Sequence, residues 1–224
     1  MAGPIDSEPR PRVPLLDWTH RSVPHDFVVD LPEPDNLPLV DFAVVLDRRR
    51  SRNGDWLDLK ELSTLLFHST RQRDAGIGRF KRQWKSCPSP SSGGLHVLRV
   101  LIIPVGDGVT GVHDVQKHRL LAFSDDQFVK QLNARSIEKL TSAKAGATLQ
   151  FFADPEELES CYENSFSLLW RDSGALSTVV SLVATALGLT TVILGRTGTE
   201  FMDALGVGNH FVGCGAIHVG SKSR

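Results

Sequence analysis

The 224-residue chain combines 41% apolar with 23% charged residues at a formal charge of −1, the balance of a globular protein able to bury a sizeable core. So small a net charge gives no electrostatic case for nucleic acid or an anionic membrane as the main partner. Cys87, Cys161 and Cys214 are scattered without metal-ligand spacing, which points to reduced thiols and a cytoplasmic setting.

The opening MAGPIDSEPRPR lacks the apolar run of a secretory signal. Residues 1–38 hold eight of the twelve prolines and little periodicity, so they are expected to form an extended leader on a surface, with Trp18 and Phe27 as anchors. Residues 39–224 are expected to form one domain. Leu39–Asp47 is apolar and runs into Arg48-Arg49-Arg50-Ser51-Arg52, where guanidinium forks and a hydroxyl suit a phosphate; the plain alternative is a solvated basic turn. Asp58 and Glu61 have capping-box spacing before Leu59, Leu62, Leu65 and Leu66, which predicts an amphipathic helix over Leu59–His68. Arg71–Lys85, basic and interrupted by glycine, reads as a mobile loop.

The stretch Ser86–Pro104 places Pro90, Ser91, Ser92, Gly93 and Gly94 before a branched apolar run, a polar turn feeding a buried strand. Such a turn either only enters the strand or lets backbone approach a flat or anionic ligand. Val109–Val115 and Arg119–Phe123 predict a hairpin with His113 and His118 exposed. Ser124 is expected to cap a helix reaching Leu140, with Phe128, Leu132 and Ile137 inward. A strand at Thr148–Phe152 and a helix opening on Pro155 follow. The uncharged run of 23 residues from Ser173 to Gly195 could span a bilayer on length, but its hydroxyls and Gly188 fit a helix over Ser165–Leu187 and a strand over Thr190–Leu194 better. Glu200–Leu205 is expected to be helical and Phe211–Val219 a last strand.

No HExxH, paired CxxC, GxxxxGK[ST] or GxSxG pattern occurs, which leaves zinc-protease, phosphate-loop and serine-hydrolase readings without support. The ordered set is more specific: an Arg-Ser cluster, LKELSTLL, PSSGGLH with its strand, GVHDVQKHRL, and RDSGALSTVVSLVATALGL. Over residues 40–220 this order resembles the nitroreductase-like FMN flavoproteins, and within them the thiazole/oxazole (azoline) dehydrogenase branch.

The resemblance implies an α+β fold of three layers, with a central, mostly antiparallel sheet flanked by helices. It implies a homodimer formed through long helices, with FMN at the subunit interface. The family's Arg-x-Ser phosphate clamp falls on Arg49 and Ser51. Its next basic residue falls on Asn53, leaving Arg50 or Arg52 to substitute. The turn beside the flavin falls on Pro90, Ser91, Ser92, Gly93 and Gly94, and Gly195 lies where the family's chain passes the cofactor. The branch's catalytic Lys-Tyr pair falls on Cys161-Tyr162, so Tyr162 is the remaining acid/base candidate.

The expected function is that of an FMN-dependent oxidoreductase, moving hydride between flavin and a small molecule or modified peptide, with NAD(P)H as a candidate donor. The main alternative is a catalytically degenerate subunit of the same fold, serving as binding or scaffold partner in a biosynthetic complex. A peripheral membrane protein is the third reading, resting only on the uncharged segment.

Overall fold

The computed structural model describes residues 8–222. The leader lies on its own chain. Its first strand, β1 (Arg10–Pro11), is followed by a stretch that Arg21 ties down by ion pairs to Asp154 at 2.7 Å and Glu156 at 2.6 Å. β2 (Phe27–Asp30) then joins the main sheet as an edge strand. α1 (Phe42–Arg48) begins on Asp41, whose carboxylate accepts from the Ala43 N–H.

In α2 (Leu59–Thr70) the Asp58/Glu61 capping box forms reciprocally, and Leu62, Leu65 and Leu66 are buried. Where a mobile loop was expected over Arg71–Lys85, the chain makes a hairpin of β3 (Asp74–Ile77) and β4 (Gln83–Ser86). Its glycines serve packing: a Cβ on Gly76 would sit 2.8 Å from Trp84 Nε1, so the indole lies directly against the opposite backbone.

A 3-10 turn at Ser92–Gly94 leads into β5 (Arg99–Pro104). The hairpin of β6 (Gly111–Asp114) and β7 (Arg119–Ala122) precedes α3 (Gln127–Thr141). Asp126 occupies the N-cap position of α3, not Ser124, which instead donates through hydroxyl and N–H to the Asp26 carboxylate of the leader. The inward face of α3 runs through Val129, Asn133 and Ile137 at spacing four, which turns Phe128 outward at 64% exposure.

The remainder alternates strand and helix: β8 (Ala147–Ala153), α4 (Pro155–Glu159), β9 (Tyr162–Glu163), α5 (Phe166–Ala186), β10 (Thr190–Leu194), α6 (Thr199–Ala204) and β11 (Val212–Gly220). Seven strands form one sheet in the order β10-β11-β8-β5-β6-β7-β2, and every neighbouring pair is antiparallel.

The pleat divides the core between two faces. Val100 and Ile102 of β5 pack with Leu65 and Leu66 of α2 and Leu169, Leu176 and Val180 of α5. Leu101 and Ile103 face the opposite way, toward Val129 of α3 and Phe201 and Met202 of α6. The result is the three-layer α+β fold expected from the resemblance. α5 has no side-chain hydrogen bond at its N-cap, so its stability comes from burial, about 1.5–3 kcal/mol for each fully covered Leu or Val. Among the described residues no helix is long and apolar enough to cross a membrane.

Candidate functional site

The arginine cluster follows directly from the end of α1. Arg49 caps that helix through its N–H to the Val45 carbonyl, and the Arg50 guanidinium folds back to donate to the Asp47 and Arg49 carbonyls. Ser51 bridges to Thr191 of β10, and the Arg52 N–H donates to the Thr191 carbonyl at 3.0 Å. A cavity of about 450 Å³ opens between α1, the C-terminal end of α5 and the start of β10. Arg48, Arg50, Arg52 and Lys222 line it, whereas Arg49 does not. Among the described residues none of these cations forms an ion pair. Asn53 donates to the Thr141 carbonyl, a structural contact away from the cavity lining.

β10 is an edge strand, so beyond the Ser51 bridge its outer backbone groups have no neighbouring strand among the described residues. From Thr191 to Gly195 this free edge runs about 13 Å, at ~3.3 Å per residue. It ends at a residue where an added Cβ meets no atom within 4 Å. Gly195 thus presents bare backbone to open space.

The Ser91–Gly94 turn lies elsewhere. It is organised by Asp172 of α5, which is only 6% exposed. The Asp172 carboxylate accepts from the Ser91 hydroxyl at 2.7 Å, the Ser92 hydroxyl at 2.9 Å and the Ser92 N–H at 3.1 Å. The His96 N–H donates to Ser91 Oγ at 3.0 Å, closing the turn. Asp172 was not singled out in the sequence, because a lone acid inside an apolar helix carries no motif; its isolation there was the only signal.

Gly93 sits at φ 62° beneath two aromatic rings, and a Cβ there would lie 2.8 Å from both Phe80 and the Tyr162 hydroxyl. Its glycine requirement is therefore met by packing within the chain. Tyr162 pairs edge-to-face with Phe80 at 4.9 Å, and burial pushes its phenol above the ordinary value. The structure thus brings Tyr162 to the turn. Cys161 points the other way, fully enclosed in the core with Leu158 and Leu169, so its position has no access to the turn.

Behind the turn lies a second cavity, of about 190 Å³, far above the roughly 10–15 Å³ that one water needs. Pro90, Ser91 and His96 form one wall, with His96 held at a φ of 49° that bulky residues seldom adopt. Lys85 and Arg99 enter from β4 and β5, His20 from the leader, and Glu157 from α4.

His113 also reaches this cavity. Contrary to the exposure expected of a hairpin, it is 6% exposed, because β6 lies inside the sheet and the ring turns toward α2. It contacts Thr70 Oγ1 and His118 Nδ1, each at 3.3 Å, and burial drives its pKa down to about 3. His118 is partly covered too, beside Ser63 at 2.7 Å.

The two groups of candidate residues are far apart within one chain. The turn is fixed at Asp172 and the cationic cavity at Thr185, thirteen residues further along α5, about 20 Å. β10 runs back along α5 from that cavity: Leu194 pairs with Ala216, next to Gly215, where an added Cβ would lie 2.6 Å from Ser173 Oγ. Gly195 thus joins the arginine cluster through β10 but lies toward the Asp172 end of α5, and Tyr162 belongs with the turn.

This architecture is the nitroreductase fold. A candidate nitroreductase from Ralstonia eutropha JMP134 superposes with a TM-score of 0.63 at 20% identity, covering 97% of this chain and 99% of its own. One chain of the Escherichia coli microcin synthetase McbBCD complex, with truncated pro-MccB17 bound, gives a TM-score of 0.60 at 14% identity over 86% of this chain and 77% of its own. A candidate nitroreductase from Desulfovibrio desulfuricans in complex with FMN gives 0.52 at 18% identity over 84% and 89%. No family model matches the chain, and no curated protein matches it either.

Proposed function

We propose that the chain is an FMN-dependent oxidoreductase that binds its flavin along the free edge of β10 and completes the site with a second copy of itself. The observation that carries this reading is the pairing of a cavity where four Arg/Lys side chains outnumber the single carboxylate of Asp47, at one end of that edge, with the open backbone of Gly195 at the other. FMN has the matching polarity, an anionic phosphate and a flat ring at opposite ends. Arg48, Arg50, Arg52, Lys222 and the Ser51 hydroxyl would hold the phosphate. The bare Gly195 backbone would lie against the ring. When bound, the flavin supplies hydride transfer, which no side chain of this protein can perform alone.

The Ser91–Gly94 turn is about 20 Å along α5 from the phosphate end of the site, and in this reading the turn that meets the ring comes from the partner chain. Exposed apolar residues beside the cationic cavity, Phe42 and Leu46 of α1 and Ile193 of β10, give the two copies a surface to cover. Ser91 and Ser92 are committed to Asp172, so the turn offers fixed backbone and the Gly93 surface, with Tyr162 behind it. The substrate is a small molecule or modified peptide, and NAD(P)H is a candidate electron donor.

Reconstitution tests this. Incubation with FMN followed by desalting should leave a yellow protein with quenched flavin fluorescence, and R48Q/R50Q/R52Q should lose the colour. Protein that stays colourless refutes the reading. The burial of Cys161 favours a second reading, a catalytically degenerate subunit in a biosynthetic complex, because no lysine can be presented from that position. Steady NAD(P)H oxidation by the FMN-loaded protein would exclude it.

A further inference from the structure

The cavity behind the Ser91 turn holds two cations that, among the described residues, no carboxylate reaches at ion-pair distance. Arg99 reaches it from β5 with its guanidinium 4.8 Å above the Phe211 ring, and its Nη2 is buried with no hydrogen-bond partner among the described residues. Lys85 lines the same space from β4, and among the described residues neither cation has an ion pair. A half-buried guanidinium without a counter-ion is costly, so the site is electrostatically incomplete.

The carboxyls nearby do not complete it. Asp172 has both oxygens engaged by Ser91 and Ser92. Glu157 stands beyond ion-pair distance of both cations, and burial raises its pKa above the ordinary carboxyl value. Burial likewise favours the neutral rings of His20, His96 and His113. Val97, Val100 and Leu176 supply an apolar part of the wall, beside the polar Gln72, Ser89 and Gln116.

We propose that this cavity binds the carboxylate of a small, apolar-bodied organic acid, with Arg99 and Lys85 as its counter-ions and Val97, Val100 and Leu176 against its hydrocarbon part. The planar guanidinium fork matches a carboxylate. Arg99 and Lys85 share the cavity with Glu157 and Asp172, and those two carboxyls oppose a dianionic phosphate more than they oppose a single carboxylate. Naming this acid a substrate rests on the flavin reading above; its binding does not.

Calorimetric titration of the cofactor-free full chain with benzoate, and separately with its neutral isostere benzamide, tests the assignment. Benzoate should bind at least about tenfold more tightly than benzamide, roughly 1.4 kcal/mol, and weaken as salt rises. K85Q and R99Q should each remove that preference, and E157Q should preserve or strengthen it. Lys85 makes no ion pair whose loss would unfold the chain, so K85Q remains informative if thermal melts show R99Q to be unfolded. Equal affinity for the two probes, no benzoate binding, or benzoate binding unchanged in K85Q overturns the proposal, as does tighter binding of inorganic phosphate. Loss of FMN uptake with benzoate binding intact would remove the flavin reading alone, and the converse would remove this one alone.

Discussion

Asp172→Ala is the substitution that most directly separates a turn held in place by α5 from one that stands by itself. The carboxylate takes three donors, the hydroxyls of Ser91 and Ser92 and the Ser92 N–H, at 2.7–3.1 Å. Hydrogen bonds to a charged group are worth about 1.5–3 kcal/mol each, but the three are not additive, and the freed hydroxyls can rotate toward water in the adjoining cavity. The Ser92 N–H cannot rotate, and its lost partner costs the most. Together these place D172A at about 3–5 kcal/mol, a large share of the ~5–15 kcal/mol that typically holds a domain.

Asp172→Asn keeps the volume and one acceptor, and a serine hydroxyl can turn to accept from the new amide, so about 1–2 kcal/mol is expected. At ~2–4 °C per kcal/mol for a chain of this size, D172A should melt about 6–20 °C lower, and D172N only a few degrees lower. Hydrogen exchange gives the local readout. The amides of Gly94, Leu95 and His96 bond within the turn, to the Ser91 carbonyl, the Ser92 carbonyl and Ser91 Oγ, and should lose protection in D172A before the β5 amides do. A D172A protein within about 1 kcal/mol of the parent, or one whose turn amides stay protected, refutes the claim that α5 organises the turn.

Gly93→Val forces a β-branched residue into φ 62° against Phe80 and Tyr162, and urea melts should show a loss of about 2–4 kcal/mol, whereas Gly195→Ala, in open space, should stay within ~0.5 kcal/mol yet weaken FMN retention. Cys161→Lys buries an ammonium in the core, so it should cost several kcal/mol or abolish soluble expression; a soluble variant of parental stability would contradict the packing described. His113 gives the pH prediction. Its folded pKa of about 3 lies below the 6.5 of the unfolded chain, so the unfolded state gains the proton first, and stability should fall by a few kcal/mol as pH drops from 6.5 toward 3. Urea melts of H113Q should show a shallower slope over that window, and an equal slope would show that His113 is not the group responsible.

Much of the fold was legible because the local rules and the tertiary environment agree. The Asp58/Glu61 box formed as spaced, and the alternation of Val100, Leu101, Ile102 and Ile103 between two core faces is what a buried central strand requires. Apart from the phase of α3, which turned Phe128 outward, the errors share one cause, a long-range partner that local sequence does not announce. Gly76 and Gly78 resembled mobility but accommodate Trp84 across the hairpin. Ser124 had the chemistry of a cap but is claimed by Asp26, almost a hundred residues away. His113 lay in a hairpin that is interior because β2, from the leader, extends the sheet beyond it.

The site shows the same limit more sharply. In the sequence, the Arg-Ser cluster and the Ser-Gly turn form one ordered series and invite a single cleft. In the structure they are attached to opposite ends of α5, and each is completed by residues without a motif: Lys222 and the Gly195 edge on one side, Asp172 and Tyr162 on the other. In the proposed site a second copy brings its own turn to the first chain's β10. In that reading flavin binding and self-association go together. Substitution of the exposed Phe42 and Leu46 by Asp should then abolish FMN retention while leaving the monomer folded, measured by flavin absorbance beside light scattering; a monomer that keeps its flavin would show that one chain suffices.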